Sequence, residues 1–183
     1  MPASDEQLML AYAGGDAGSF DTLYARHKGP LFRFVLRSVK SRAEAEELFQ
    51  EIWMRAIEAR TRYTPQAKFS TWIYTIAHHR LVDHWRARGL TLVSLDDEER
   101  PVGEPRAGPD AEPHRHLEAR QTAERLAAAL AALPLAQREA FLLHHEGGLD
   151  IAAIAATTGS GEEAAKSRLR YATSKLREAI GDD

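Results

Sequence analysis

The sequence contains no cysteine, which excludes disulfide bridges and thiolate metal sites and is compatible with a reducing cytosol. No apolar run is long enough to cross a bilayer, so membrane insertion is not expected. The opening residues Met1 to Glu6 lack the basic-then-apolar pattern of a secretory leader, and a cytoplasmic protein is expected. Alternating apolar and polar runs are scarce, which leaves an all-α class. Phosphate-cradling glycine loops are missing too, since no Lys-Ser or Lys-Thr follows Gly14-Gly15. Histidine is plentiful, and His78, His79 and His84, or His114 with His116, invite a metal hypothesis. No His-Glu-x-x-His run occurs, however, and His144-His145 fall at a helix end, where cations are ordinary. Neither a resident metal, nor a cofactor, nor an enzyme is expected.

What is present can build a real core. Hydrophobic residues make up 44% of 183 positions, enough for one large domain or two small ones. Ser4-x-x-Gln7 is a capping box opening a helix through Tyr12, closed by Gly14-Gly15. The next helix places Phe20, Leu23, Tyr24, His27, Leu31, Phe34 and Val35 on one face, and Gly29-Pro30 should kink or divide it. Ser41-x-x-Glu44 is a second capping box and opens another helix, with Ala45, Leu48, Phe49, Ile52 and Ala56 inward. Its outward side carries Glu46, Glu47, Gln50, Glu51 and Arg55, with Trp53 and Met54 between the faces. Arg60 to Ala67 reads as a loop.

The stretch Lys68 to Arg88 then reads as one helix that Ser70 can cap. Phe69, Ile73, Ile76, Ala77, Leu81 and His84 form its core stripe. The opposite side interleaves Trp72, Tyr74, His78, His79, Arg80, Trp85, Arg86 and Arg88. Cations neutralise phosphate and flat rings stack on unpaired bases, so this mix suits opened nucleic acid. A core helix with a solvated basic face is the plainer alternative. These four helices make a first domain over 1–88.

Residues 89–112 carry Asp96-Asp-Glu-Glu99, Glu104, Asp110 and Glu112 among Pro101, Pro105 and Pro109, and hold no aromatic. That is the composition of a flexible acidic linker. A second helical domain over 113–183 follows. Its first helix has Leu117, Leu126, Ala127, Leu130 and Leu133 as a stripe, and Pro134 starts the second. Asp150 caps a short helix, Gly159-Ser-Gly161 makes a tight turn, and a last helix runs from Glu162 to about Ile180. Short helix, glycine turn and longer helix give helix-turn-helix spacing. The early outward residues of that last helix are Lys166, Ser167, Arg170 and Tyr171, with Arg168, Lys175 and Arg177 around them. Arginine and lysine can pair with guanine edges in a major groove. A helical hairpin with a solvated charged face fits the same pattern. So does an ordinary helix-turn-helix regulator with an N-terminal sensor bundle.

Five stretches, in order and spacing, resemble the extracytoplasmic-function group of the bacterial sigma-70 family. They are Ala45-Glu-Glu-Leu-Phe-Gln-Glu-Ile-Trp53, Tyr63-x-Pro65, Phe69-Ser-Thr-Trp-Ile-Tyr-x-Ile-Ala77, Leu133-Pro-x-x-Gln-Arg-Glu-Ala-Phe-Leu-Leu143 and Lys166-Ser-Arg-Leu-Arg170. The resemblance implies a non-catalytic promoter-specificity subunit of RNA polymerase, with a four-helix region 2-like domain and a four-helix region 4-like domain. It implies that Glu46, Glu47, Leu48, Gln50, Glu51 and Trp53 dock on the polymerase clamp helices, with the second domain reaching the flap. It implies a −10 surface of Tyr63, Lys68, Phe69, Trp72, Tyr74, His78, His79, Arg80, Arg86 and Arg88. The −35 element would be read by Lys166, Ser167, Arg168, Arg170, Tyr171 and Lys175. An anti-sigma partner is implied as well. Two departures stand out. His79 stands where many members carry asparagine, and Glu163-Ala-Ala165 replaces the usual Gly-Thr-Val opening of the last helix.

Overall fold

A computed structural model describes residues 1–90, 92 and 116–181. All regular structure among them is helical, with eight α-helices and one 3₁₀ turn. Most of the expected linker, and the start of the second domain up to residue 115, lie outside the described residues.

The first helix, α1 (Asp5–Ala13), begins with the full capping box: Ser4 Oγ accepts from the Gln7 N–H, and the Gln7 side chain accepts from the Ser4 N–H. Helix α2 (Ala17–Ser38) is capped by Asp16 and passes through Pro30 without being divided. The division considered from Gly29-Pro30 is therefore absent; buried Leu31, Phe34 and Val35 anchor the residues just beyond the proline to the core. Helix α3 (Arg42–Ala59) takes its cap from Ser41 and runs into the 3₁₀ turn Arg60–Arg62, so part of the expected loop is helical. Helix α4 (Phe69–Ala87) closes the first bundle.

The second bundle comprises α5 (His116–Ala132), α6 (Leu135–His145), α7 (Ile151–Thr158) and α8 (Glu162–Ile180). Leu130, Leu133, Leu142, Leu143, Ile154, Ala165, Ala172 and Leu176 are buried in it. Ala127, expected in the stripe of α5, is exposed instead. Asp150 caps α7 by accepting the Ala153 N–H at 2.8 Å. Gly159 ends α7 with φ 65°, a left-handed residue that an L side chain enters only with strain.

The two bundles touch. Helix α4 packs on α7, and α2 packs on α5 and α6. Polar groups join them: Arg33 Nε donates to Glu146 at 2.9 Å, and Arg37 pairs with the same carboxylate. His78 Nδ1 lies 2.5 Å from Glu139 Oε1, with the two side chains only 8% and 2% exposed. Thr75 and Thr157 hydroxyls meet at 3.3 Å.

Candidate nucleic-acid interface

Helix α4 is the element on which the expected surface depends, and its start differs from the expected one. Ser70 does not cap it. Lys68 occupies the cap position with no side-chain bond, and the Phe69 N–H donates to Glu6 Oε1, on α1, at 2.7 Å. An N-terminal turn leaves N–H groups without helical partners, and a carboxylate satisfies one while complementing the helix dipole. That hydrogen bond, the largest influence on it, holds the Glu6 carboxyl below the usual carboxylate range.

Beside this cap the loop from Tyr63 to Lys68 meets the helix. Thr64 to Lys68 are exposed, whereas Tyr63 and Phe69 are buried. The Tyr63 ring lies edge-on to Trp72, centroids 5.0 Å apart, and Phe69 tilts against Trp72 at 5.8 Å. Burial, with the Glu6 and Asp5 carboxylates adding to it, pushes the Tyr63 hydroxyl up to about 12. That hydroxyl is buried without a hydrogen-bond partner among the described residues. The product is a partly exposed Trp72 ring, backed by the buried rings of Tyr63 and Phe69, beside an exposed loop. A flat base leaving a duplex can stack on such a ring.

Further along α4, the face read as basic and aromatic is split. His79, Arg86 and Arg88 are exposed and Arg80 is half-buried. Tyr74, His78 and Trp85 are buried. Tyr74 packs edge-on against Phe34 at 5.1 Å, and its ring carbons lie against Gly147 of the second bundle. Trp85 donates from Nε1 to the Ser38 carbonyl at 3.2 Å, which makes it a core residue of the first bundle. His78 is held by Glu139, a residue that sequence reading did not single out although it stands inside the Gln137-Arg-Glu motif. The cause is the second bundle, which gives α4 a second buried face that one helix's periodicity cannot announce.

On α3 the expected docking residues also divide. Glu46, Glu47 and Gln50 are exposed, and Glu51 is partly exposed. Leu48 and Trp53 are buried, Trp53 against Phe20, Tyr24 and Phe49. Met54, placed between faces by sequence, is 55% exposed. With Glu47, Gln50, Glu51, Arg55 and Glu58 it lines a shallow depression. Arg80 donates from Nε to Glu51, the bond that most strongly holds the Glu51 carboxyl below its ordinary range. Arg88 pairs with Glu44. Two cations of α4 are thus partly neutralised by the acidic helix beside them.

In the second bundle α7 and α8 pack against each other across the Gly159–Gly161 turn. Lys166, Arg170, Tyr171 and Lys175 are exposed on α8, with Tyr171 53% exposed and the Arg170 guanidinium 5.5 Å over its ring. Ser167 is half-buried. Lys175 lies 3.6 Å from Glu178. Arg168 turns inward, and burial pushes its guanidinium below its usual range. Exposed Glu162 and Glu163 open the helix, where they complement its dipole and repel phosphate. Among the described residues, no group of three His, Asp or Glu side chains is placed to hold a metal ion. His144 bonds the Leu149 carbonyl at 2.8 Å and the His145 ring tilts against Phe141, centroids 4.1 Å apart. Of the other pair, His114 lies outside the described residues.

Comparison with known proteins finds two matching segments. Residues 23–91 match the family described as Sigma-70 region 2, and residues 123–176 match Sigma-70, region 4. RNA polymerase sigma factor CarQ of Myxococcus xanthus is 30% identical over 176 residues, which span 95% of this chain and 96% of that protein. The ECF RNA polymerase sigma factor RpoE of Cereibacter sphaeroides is 30% identical over 167 residues, 89% of this chain and 87% of that one. Among solved structures, CnrH in complex with the cytosolic domain of CnrY is similar at a TM-score of 0.70 and 22% identity, covering 99% of both chains. The sigma factor RpoE from a co-crystal with the anti-sigma factor NepR from Bartonella quintana gives 0.68 and 22%, covering 91% of this chain and 99% of that one. These structural likenesses concern the fold.

Proposed function

The chain belongs to the sigma-70 family, in its extracytoplasmic-function group, and on that premise we propose how its two units divide promoter recognition. As a member it is a non-catalytic specificity subunit that acts with core RNA polymerase on promoter DNA to start transcription. The proposed units are 1–88 and 113–183, joined by the acidic segment 89–112.

Core polymerase docks on the exposed side of α3, through Glu46, Glu47, Gln50 and Glu51, with Met54 as the apolar centre. Leu48 and Trp53 hold that face from behind. An acidic face with an apolar centre suits a protein partner, because phosphate would be repelled. The −10 element is captured at the Tyr63–Lys68 loop and the Trp72 ring, with Lys68, His79, Arg86 and Arg88 supplying cations and Arg80 bracing Glu51. Tyr74 and His78 join that surface only when the second bundle moves off α4. The −35 element is read by α8 in a major groove, through Lys166, Ser167, Arg170 and Tyr171, with Lys175 on phosphate and Arg168 bracing the helix from inside. An anti-sigma partner and a cytoplasmic location follow from the same reading; RpoE of B. quintana was solved with such a partner, and no described helix is long and apolar enough to cross a membrane.

The observation that carries this reading is one chain holding a partly exposed aromatic ring beside an exposed loop on one bundle and a cationic helix-turn-helix on the other. Purified protein mixed with core polymerase is expected to co-elute on gel filtration and to give promoter-dependent transcripts. Binding a symmetric duplex operator as a dimer, with no core complex, would refute it. A Trp72→Ala change is expected to impair opening more than initial engagement and to be rescued on a pre-melted −10 bubble. Equal defects on both templates would make Trp72 a folding residue.

A further inference from the structure

We propose that Glu6, outside both segments that match the family, is a positioning residue for −10 recognition: its carboxylate fixes the end of the base-capturing loop. The inference rests on the sigma-factor reading above.

Helix α1 holds the chain on both sides of the loop. Just ahead of the loop, in the 3₁₀ turn that leads into it, the Arg60 guanidinium lies 5.6 Å over the ring of Tyr12. At its end, Glu6 Oε1 accepts the Phe69 N–H at 2.7 Å. Between these holds run the exposed residues Thr64 to Lys68, whose own side chains offer α4 no cap. The orientation of the first turn of α4, and so of Phe69 and Trp72, therefore depends on an acceptor 63 residues away in sequence.

That acceptor is itself held. Arg26 Nη1 donates to Asp5 Oδ1 at 2.8 Å and to the Ala3 carbonyl at 3.0 Å, and His27 Nε2 lies 2.7 Å from Asp5 Oδ2. The His27 ring also tilts against Phe69, centroids 5.0 Å apart. Leu8 and Met9 bury the other side of α1. Glu6 thus reaches the loop from a backbone pinned to α2, as a device that fixes a register should. A base flipped onto the Trp72 ring meets a preformed site, and the cost of ordering the loop is met on folding. Without the carboxylate, the Phe69 N–H loses its partner and the loop end is free to move.

The test uses the full chain assembled with core polymerase. Wild-type holoenzyme first selects its promoter from a randomised library. The probe is then a single-stranded oligonucleotide carrying the selected −10 element. Glu6→Ala is expected to bind it about tenfold more weakly, equivalent to about 1.4 kcal/mol, and to lose preference among −10 bases. Affinity for core and for a −35 duplex should hold. Glu6→Gln keeps an acceptor oxygen and is expected to recover most of the binding. Wild-type binding and base preference in Glu6→Ala would overturn the proposal. So would a loss that appears equally in core affinity and thermal midpoint, since that marks general destabilisation. Failure of the wild-type chain to bind core would show before any variant is made, and would remove the sigma-factor reading itself.

Discussion

At the scale of single residues, α4 shows how a side chain's role depends on what covers it. Trp85 stands in the aromatic and cationic run, yet its indole is buried and bonded to the Ser38 carbonyl. Trp85→Ala is expected to cost about 3–5 kcal/mol in urea unfolding, as truncation of a buried aromatic does. Arg86→Ala, at an exposed site on the same turn, should stay within about 0.5 kcal/mol. An unchanged midpoint for Trp85→Ala would sink the core assignment. Acid supplies a second reading of this scale. The folded carboxyl of Glu6 is held below its ordinary value of 4.5, chiefly by the Phe69 N–H. Its stabilisation is therefore complete above that value and is lost as pH falls through the lower folded one. Wild-type stability should drop more steeply than that of Glu6→Gln as pH is lowered below 4.5, and parallel pH curves would contradict the capping role. Sequence made the core stripe of Phe69, Ile73, Ala77 and Leu81 legible because helical spacing records it. The Glu6 cap was not legible, since nothing in Lys68-Phe-Ser names a partner on another helix.

At the scale of elements, helix ends were read well where the cap is local. Ser4, Ser41 and Asp150 each bond an N–H of the helix that follows, within three residues. The helix-turn-helix was legible for the same reason, because Gly159 supplies the left-handed residue that lets α8 leave α7. Gly159→Val places a β-branched side chain at φ 65°, where no neighbouring atom blocks it but the backbone conformation is strained. The expected cost is about 1–3 kcal/mol by calorimetry. The face of α8 makes a sharper prediction. Lys166→Ala and Arg170→Ala each remove an exposed cation assigned to a base edge, so each should weaken −35 duplex binding by about 1–3 kcal/mol and relax base preference at one position, whereas Lys175→Ala, which removes the proposed phosphate contact, should lower the slope of log affinity against log salt by about 0.9. Core binding should not change. Arg168 was the misleading residue in this element, since Lys166-Ser-Arg168 reads as a run of groove-facing residues. The four-and-three spacing of Ala165, Leu169 and Ala172 turns part of that run inward.

At the scale of the whole molecule, the packing of one bundle on the other sets the problem the protein must solve. Elements about 25 base pairs apart along straight duplex lie roughly 85 Å apart, while α4 is only about 28 Å long. On the proposed assignment of α4 and α8, two readers packed side by side cannot occupy both, so the packed faces part when both elements are read. Their chemistry is consistent with reversible opening. Glu146, its side chain only 8% exposed, serves Arg33 and Arg37, both about half exposed, and Glu139 serves His78 inside. The half-exposed arginines lose little on parting, since water takes over their donors, whereas the wholly buried His78–Glu139 pair must regain solvent or another partner. Glu146→Gln should therefore shift the population towards separated bundles while each bundle stays folded. Dyes placed on exposed Lys40 and Ser174 would report it as a longer mean distance in single-molecule energy transfer. The shift should be at least severalfold in the open-to-closed ratio, because half-exposed arginines bonded to a buried carboxylate lie between a surface pair and a buried one, about 1–3 kcal/mol. Far-ultraviolet circular dichroism should be unchanged, and amide exchange should quicken along the Tyr74–His78 turn of α4, which the second bundle covers. An unchanged distance distribution together with unchanged exchange there would mean that buried Tyr74, Gly147 and the His78–Glu139 pair hold the bundles without help from Glu146.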